Sequence, residues 1–133
     1  MGLGPPALMP RFTRDTPAGP VSLQYVERGD PSGPPVLLIA PGGMNSAMTW
    51  WRRSPWNPLD RLERFRVIGM DQRNAGQSTA PVAPGDGWPV YTADQLALLD
   101  HLGVDRFSVV GMCIGGPYIT ALRKPAPQRV DAP

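Results

Sequence analysis

The residues best placed to do chemistry are Gly111-Met-Cys113-Ile114-Gly115-Gly116-Pro117. They follow Phe107–Val110, a run apolar apart from Ser108, as expected of a strand covered on both faces. Gly111, Gly115 and Gly116 suit a tight strand-to-helix turn in which a Cβ would crowd the backbone. Pro117 falls in the first helical turn, where a missing N–H is harmless. The pattern is G-x-C-x-G, the form of a nucleophile elbow with Cys113 at its apex. Such a turn presents one side chain at a helix N-terminus, where free N–H groups and the helix dipole favour negative charge. The N–H of Ile114 would face an oxyanion formed at Cys113. A thiol so placed suits covalent acyl transfer. The alternatives for Cys113 are a small buried hydrophobe or a redox-sensing thiol.

Other glycine chemistry is excluded by single residues. A dinucleotide fingerprint G-x-G-x-x-G fails because position 113 is Cys. A phosphate loop matches Gly111 and Gly116 but then meets Pro117 and Tyr118 instead of Lys and Ser/Thr. One His and one Cys make no metal-ligand cluster, so neither a metal nor a cofactor is expected.

The elements around this turn alternate between strand and helix. Val21–Glu27 alternates apolar and polar residues, as a half-buried strand does. Val36–Ala40 and Arg66–Met70 read as buried strands. The first runs into Pro41-Gly42-Gly43 and the second into Asp71-Gln-Arg73-Asn-Ala-Gly76-Gln-Ser78. Short helical turns are expected within 45–53 and 59–65. Trp50, Trp51 and Trp56 there are expected to pack rather than to stack on a ligand. A clear helix follows, with Thr92 and Gln95 as a T-x-x-Q capping box and Gly103 as its terminator. Leu96, Leu98, Leu99 and Leu102 form its buried stripe, which leaves His101, the only His, on the surface. A last helix is expected over 114–123, stopped by Lys124-Pro125. This order implies an α/β fold with a mostly parallel sheet, flanking helices, and function in the loops after the strands. Three such loops are glycine-bearing: 41–43, 71–76 and 111–116.

Composition narrows the classes further. At 133 residues, 41% hydrophobic and 18% charged, the chain is one globular domain. A net charge of +2 without a basic run gives no reason to expect a nucleic-acid partner. No apolar run is long enough for a membrane span and no secretion signal is evident, so a cytoplasmic location is expected. With one Cys, an intrachain disulfide is impossible. The 18 prolines cluster where regular structure should stop, marking 1–20 as a loose start, with Leu8–Thr13 open as a first edge strand, and 124–133 as a ragged tail. The Arg28-Gly-Asp30 triplet reads as turn chemistry.

Taken in order, these three motifs resemble the N-terminal half of the α/β-hydrolase superfamily over about residues 21–123. Pro41-Gly42-Gly43 stands where that family has its oxyanion loop, 71–78 resembles its D-x-R-G-x-G-x-S turn, and 111–116 resembles its elbow. Pro41 replaces the usual His, Asn74 a Gly, and Met112 a frequent His. The resemblance implies Cys113 as nucleophile, with the N–H groups of Gly43 and Ile114 as the oxyanion hole. It implies a structural, turn-shaping role for Asp71, Arg73, Gly76, Ser78, Gly111 and Gly115. The implied substrate is a small-molecule ester, thioester or lactone, and acyl transfer to another acceptor is the alternative chemistry.

In that family the acid and then the His follow the nucleophile in the chain. Residues 114–133 contain Asp131 and no His. The expectation is therefore a partial, truncated hydrolase fold with its later strands missing. Such a chain is either enzymatic by descent or a catalytically incomplete fragment that self-associates through an exposed sheet edge.

Overall fold

The computed structural model describes residues 10–41, 46–113 and 115–131. Among these residues five strands form one sheet: β1 (Arg11–Thr16), β2 (Gly19–Gly29), β3 (Pro35–Ile39), β4 (Arg66–Met70) and β5 (Ser108–Gly111). Their spatial order is β1-β2-β4-β3-β5. β4, β3 and β5 run parallel, while β2 pairs antiparallel with both β1 and β4. The sheet is thus a parallel half extended by an antiparallel hairpin. The described helices that accompany it are α1 (Trp50–Arg53), α2 (Pro58–Arg61), α3 (Trp88–His101) and α4 (Gly115–Arg123).

The unbroken apolar runs of β3 and β4 follow from burial on both faces. Successive side chains alternate between faces. Leu37, Ile39, Ile68 and Met70 meet Leu98 and Leu99 of α3 and Tyr118 and Leu122 of α4 in one core cluster. Val36, Leu38, Ala40 and Val67 meet Met48, Trp51 and Leu59 in a second cluster on the other face. Trp51 is a core residue at 2% exposure, whereas Trp56 lies exposed at 45%.

Several expectations are corrected. The segment up to residue 20 is not loose in its second half: the edge strand left open at Leu8–Thr13 forms over Arg11–Thr16 and zips antiparallel onto β2. Helix α3 begins at Trp88, a full turn before the expected capping box, because Pro89 fits its first turn. Thr92 instead donates its hydroxyl back to the Pro89 carbonyl, and Gln95 is buried against Gln72. Gly103 does stand just past the end of α3, with φ +72.

The tail is not ragged either. Arg129–Asp131 lies parallel to the outer side of Phe107, with Phe107 N–H donating to Arg129 O and Asp131 N–H to Phe107 O, both at 2.8 Å. Val130 and Ala126 are buried, and Arg129 caps the Val104 and Asp105 carbonyls. β5 itself is half-buried along its length, not buried as its composition suggests. It pairs with β3 on one side and, among the described residues, has only this short contact at Phe107 on the other.

Candidate functional site

The parallel register brings three strand ends to one edge of the sheet. Leu38 pairs with Gly69 and Ile39 with Gly111, so the segments after β3, β4 and β5 emerge side by side. Of the expected site residues, Gly43 and Ile114, the implied oxyanion donors, lie outside the described residues. Cys113 is described and exposed. Its φ is +58, a left-handed conformation uncommon for a residue with a Cβ. The Gly116 N–H donates to its carbonyl at 3.1 Å as α4 begins. A left-handed apex between a parallel strand and the start of a nine-residue helix is the geometry of a nucleophile elbow.

Gly116 needs no glycine on grounds of crowding, contrary to the reading from sequence. A Cβ there would meet nothing within 4 Å, because the position faces an open groove between α3 and α4. That groove, about 1090 Å³, is lined by Trp88, Leu96, Pro117 and Ala121 but not by Cys113.

The turn after β4 is built around Asp71. Its Oδ1 accepts from Met48 N–H and its Oδ2 from Gln77 N–H, both at 2.8 Å. Burial pushes the Asp71 carboxyl above its ordinary range, and these two N–H groups pull the other way without cancelling it. Gly76 sits against the same carboxylate: with φ +53, a Cβ there would collide with Asp71 Oδ2. Ser78 donates to Asp71 O and accepts from Gln24 N–H, which ties the turn to β2. Gln72 N–H donates to Ser46 O, and Ser46 Oγ donates to Ala40 O. These bonds join the turn to the segment that follows β3.

Arg73 points away from that segment, into α3. Its Nε and Nη2 make a bidentate pair with Asp94 at 2.6 and 2.8 Å, and Arg14 of β1 donates to the same carboxylate at 2.9 Å. Hydrogen bonding to Asp94 raises the Arg73 pKa further and keeps the guanidinium charged. Asp94 is fully buried. Sequence reading missed both Asp94 and Arg14, because an acidic residue on an amphipathic helix and a basic one on an edge strand read as solvated.

The other candidates for acid and base are not near the elbow. Arg66, which opens β4, donates to Leu102 O at 3.1 Å, so the end of α3 lies at the edge of the sheet opposite Cys113. His101 is there, stacked on Phe12 at 4.7 Å and edge-on to Tyr25 at 6.5 Å. Asp131 sits beside Phe107, before β5 begins, and pairs with Arg106 on the surface.

Comparison with known proteins agrees with this geometry. A family described as alpha/beta hydrolase fold matches residues 35–132. The chain belongs to the α/β hydrolase family. Rhodomycin D methylesterase DnrP from Streptomyces peucetius is 37% identical over 77% of this chain and 34% of its own length. A hydrolase from Pseudomonas aeruginosa PA01 superposes with a TM-score of 0.74 at 30% identity, over 90% of this chain and 43% of that one. The enol-lactonase of Burkholderia xenovorans LB400 superposes with a TM-score of 0.71 at 26% identity, over 83% of this chain and 41% of that one. The α/β hydrolase chain thus spans less than half, 27% to 40%, of the length of these and similar curated relatives. None of its described helices is long and apolar enough to cross a membrane.

Proposed function

We propose that this α/β hydrolase is an acyl hydrolase of esters, thioesters or lactones in which Cys113 is the nucleophile. The observation that carries the reading is the exposed Cys113 at φ +58, between a parallel strand and the N-terminus of α4. A left-handed residue with a Cβ is costly, on the order of 1–2 kcal/mol, and such conformations cluster at working sites. Membership of a hydrolase family and likeness to a methylesterase and an enol-lactonase support the substrate class.

In the proposed reaction the Cys113 sulfur attacks the acyl carbonyl. A C–S bond forms, the oxygen or sulfur leaving group departs and takes up a proton, and the acyl group remains as a thioester. The oxyanion would be met by N–H groups at Gly43 and Ile114, the role that the family resemblance gives those positions. Water then adds to the thioester carbonyl and releases the acid. An alcohol or amine in place of water gives the acyltransferase outcome. Among the described residues His101 and Asp131 lie away from Cys113, so the step that these residues support is acylation by an activated ester.

The test is aryl-alcohol release from an activated aryl ester by the wild-type chain and by Cys113→Ala. Release of one equivalent per chain, abolished in Cys113→Ala, is expected. Equal release by both would remove Cys113 from the reaction.

A further inference from the structure

We propose that Asp94 is a positioning residue for the segment that follows β3, acting through Arg73 and Asp71. The proposal deepens the acyl-hydrolase reading and rests on it for its kinetic consequence. Asp94 is fully buried in α3 and touches neither Cys113 nor the strand ends in any hydrogen bond described. Its contact with the site is relayed. The bidentate pair at 2.6 and 2.8 Å fixes the Arg73 guanidinium in both distance and plane, as a single contact would not. Arg73 follows directly on Asp71 and Gln72. Asp71 Oδ1 holds Met48 N–H and Gln72 N–H holds Ser46 O, at 2.8 and 2.9 Å. Ser46 Oγ returns to Ala40 O at 2.7 Å, beside the pairing of Ile39 with Gly111 that leads into the elbow. The path from Asp94 to Ala40 therefore runs through the ion pair to Arg73, along two peptide bonds to Gln72 and Asp71, and on through hydrogen bonds to Met48 and Ser46, and the side chains of Asp94, Arg73, Asp71, Gln72 and Ser46 are all buried.

Arg14 adds a second arm. It reaches the same Oδ1 from β1 but is partly exposed, and none of the described hydrogen bonds or ion pairs joins it to the turn. It is a partner of Asp94 and not a member of the relay, which provides an internal control.

Loss of Asp94 alone would leave the buried Arg73 without its bidentate partner, so a defect in that single variant would not separate misfolding from lost positioning. The double variant Arg73→Met/Asp94→Leu removes both charges together, an exchange that buried ion pairs commonly tolerate. Two readouts are taken on the folded variant: amide hydrogen exchange at Met48 and Gln77, and the rate of Cys113 acylation by an aryl ester across ester concentration. The expected result is exchange at both amides faster by about tenfold or more. The maximal acylation rate falls by about tenfold or more with the half-saturating ester concentration unchanged. Wild-type exchange and wild-type acylation in a folded double variant would overturn the proposal. If the double variant does not fold, Asp94→Asn and Arg14→Met decide: exchange at Met48 should quicken in the first and stay unchanged in the second. Equal quickening in both would mean general loosening and would also overturn it. Amide exchange needs no reaction at Cys113. A wild-type chain that fails to acylate would therefore refute the acyl-hydrolase reading while leaving this measurement decisive for Asp94.

Discussion

The Asp71 carboxylate spans two loops, accepting Met48 N–H on one oxygen and Gln77 N–H on the other, each at 2.8 Å. Burial is the larger influence on this group and holds its pKa above the ordinary 3.8. The native state therefore binds the Asp71 proton more tightly than the unfolded chain does. Its contribution to stability is fully present below the unfolded value and is lost as pH rises through the higher folded value. The stability of the wild type relative to Asp71→Asn, from urea midpoints between about pH 3 and pH 7, should fall with rising pH from near 3.8 upward and then level off. A difference that grows with pH would mean that the two N–H donors outweigh burial.

Arg73 and Asp94 form a buried pair in which each charge needs the other. Arg73→Ala should destabilise the fold by about 3 kcal/mol or more, because Asp94 keeps only its contact with the partly exposed Arg14. Arg14→Ala should cost about 1 kcal/mol or less, since the bidentate pair survives it. Chemical denaturation of the two variants checks the ranking, and equal effects would contradict it.

Two glycines should respond oppositely to alanine. At Gly76, φ +53 and the approach of a Cβ to Asp71 Oδ2 mean that Gly76→Ala should lose about 2 kcal/mol or more and disturb the turn. At Gly116 the space is open and the residue is helical, so Gly116→Ala should be neutral or stabilising by up to about 1 kcal/mol. Thermal unfolding of both variants is sufficient.

The contrast between those glycines illustrates what was legible in the sequence. Strands with continuous apolar runs, Val36–Ile39 and Val67–Met70, were recognisable because burial on both faces leaves no alternation to misread. The strand-to-helix turn at Cys113 was recognisable from its spacing, and the Asp71–Ser78 turn from its glycine and short polar residues. What a glycine is for depends on neighbours remote in the chain, so Gly76 and Gly116 look alike until the carboxylate beside one of them is seen. Asp94 was hidden for the same reason: its partners lie 21 and 80 residues away. Proline content misled at the tail and obscured the extent of the first edge strand. Arg11–Thr16 and Arg129–Asp131 are held by backbone pairing to β2 and Phe107, which composition does not report.

The C-terminal contact offers its own test. Val130 is 7% exposed and packs in the same core cluster as Phe107. Val130→Ala removes two methyl groups and should destabilise the chain by about 1.5 kcal/mol. No loss in urea stability would show that the pairing beside Phe107 contributes nothing to the fold.

The most direct measurement is intact mass against time during incubation with an activated aryl ester, in native buffer and in urea, with peptide mapping of the adduct. A working elbow predicts one acyl group per chain, located on Cys113, formed at least about tenfold faster in the folded state than in urea. Equal rates in the two states would make Cys113 an ordinary thiol and would contradict the proposed function.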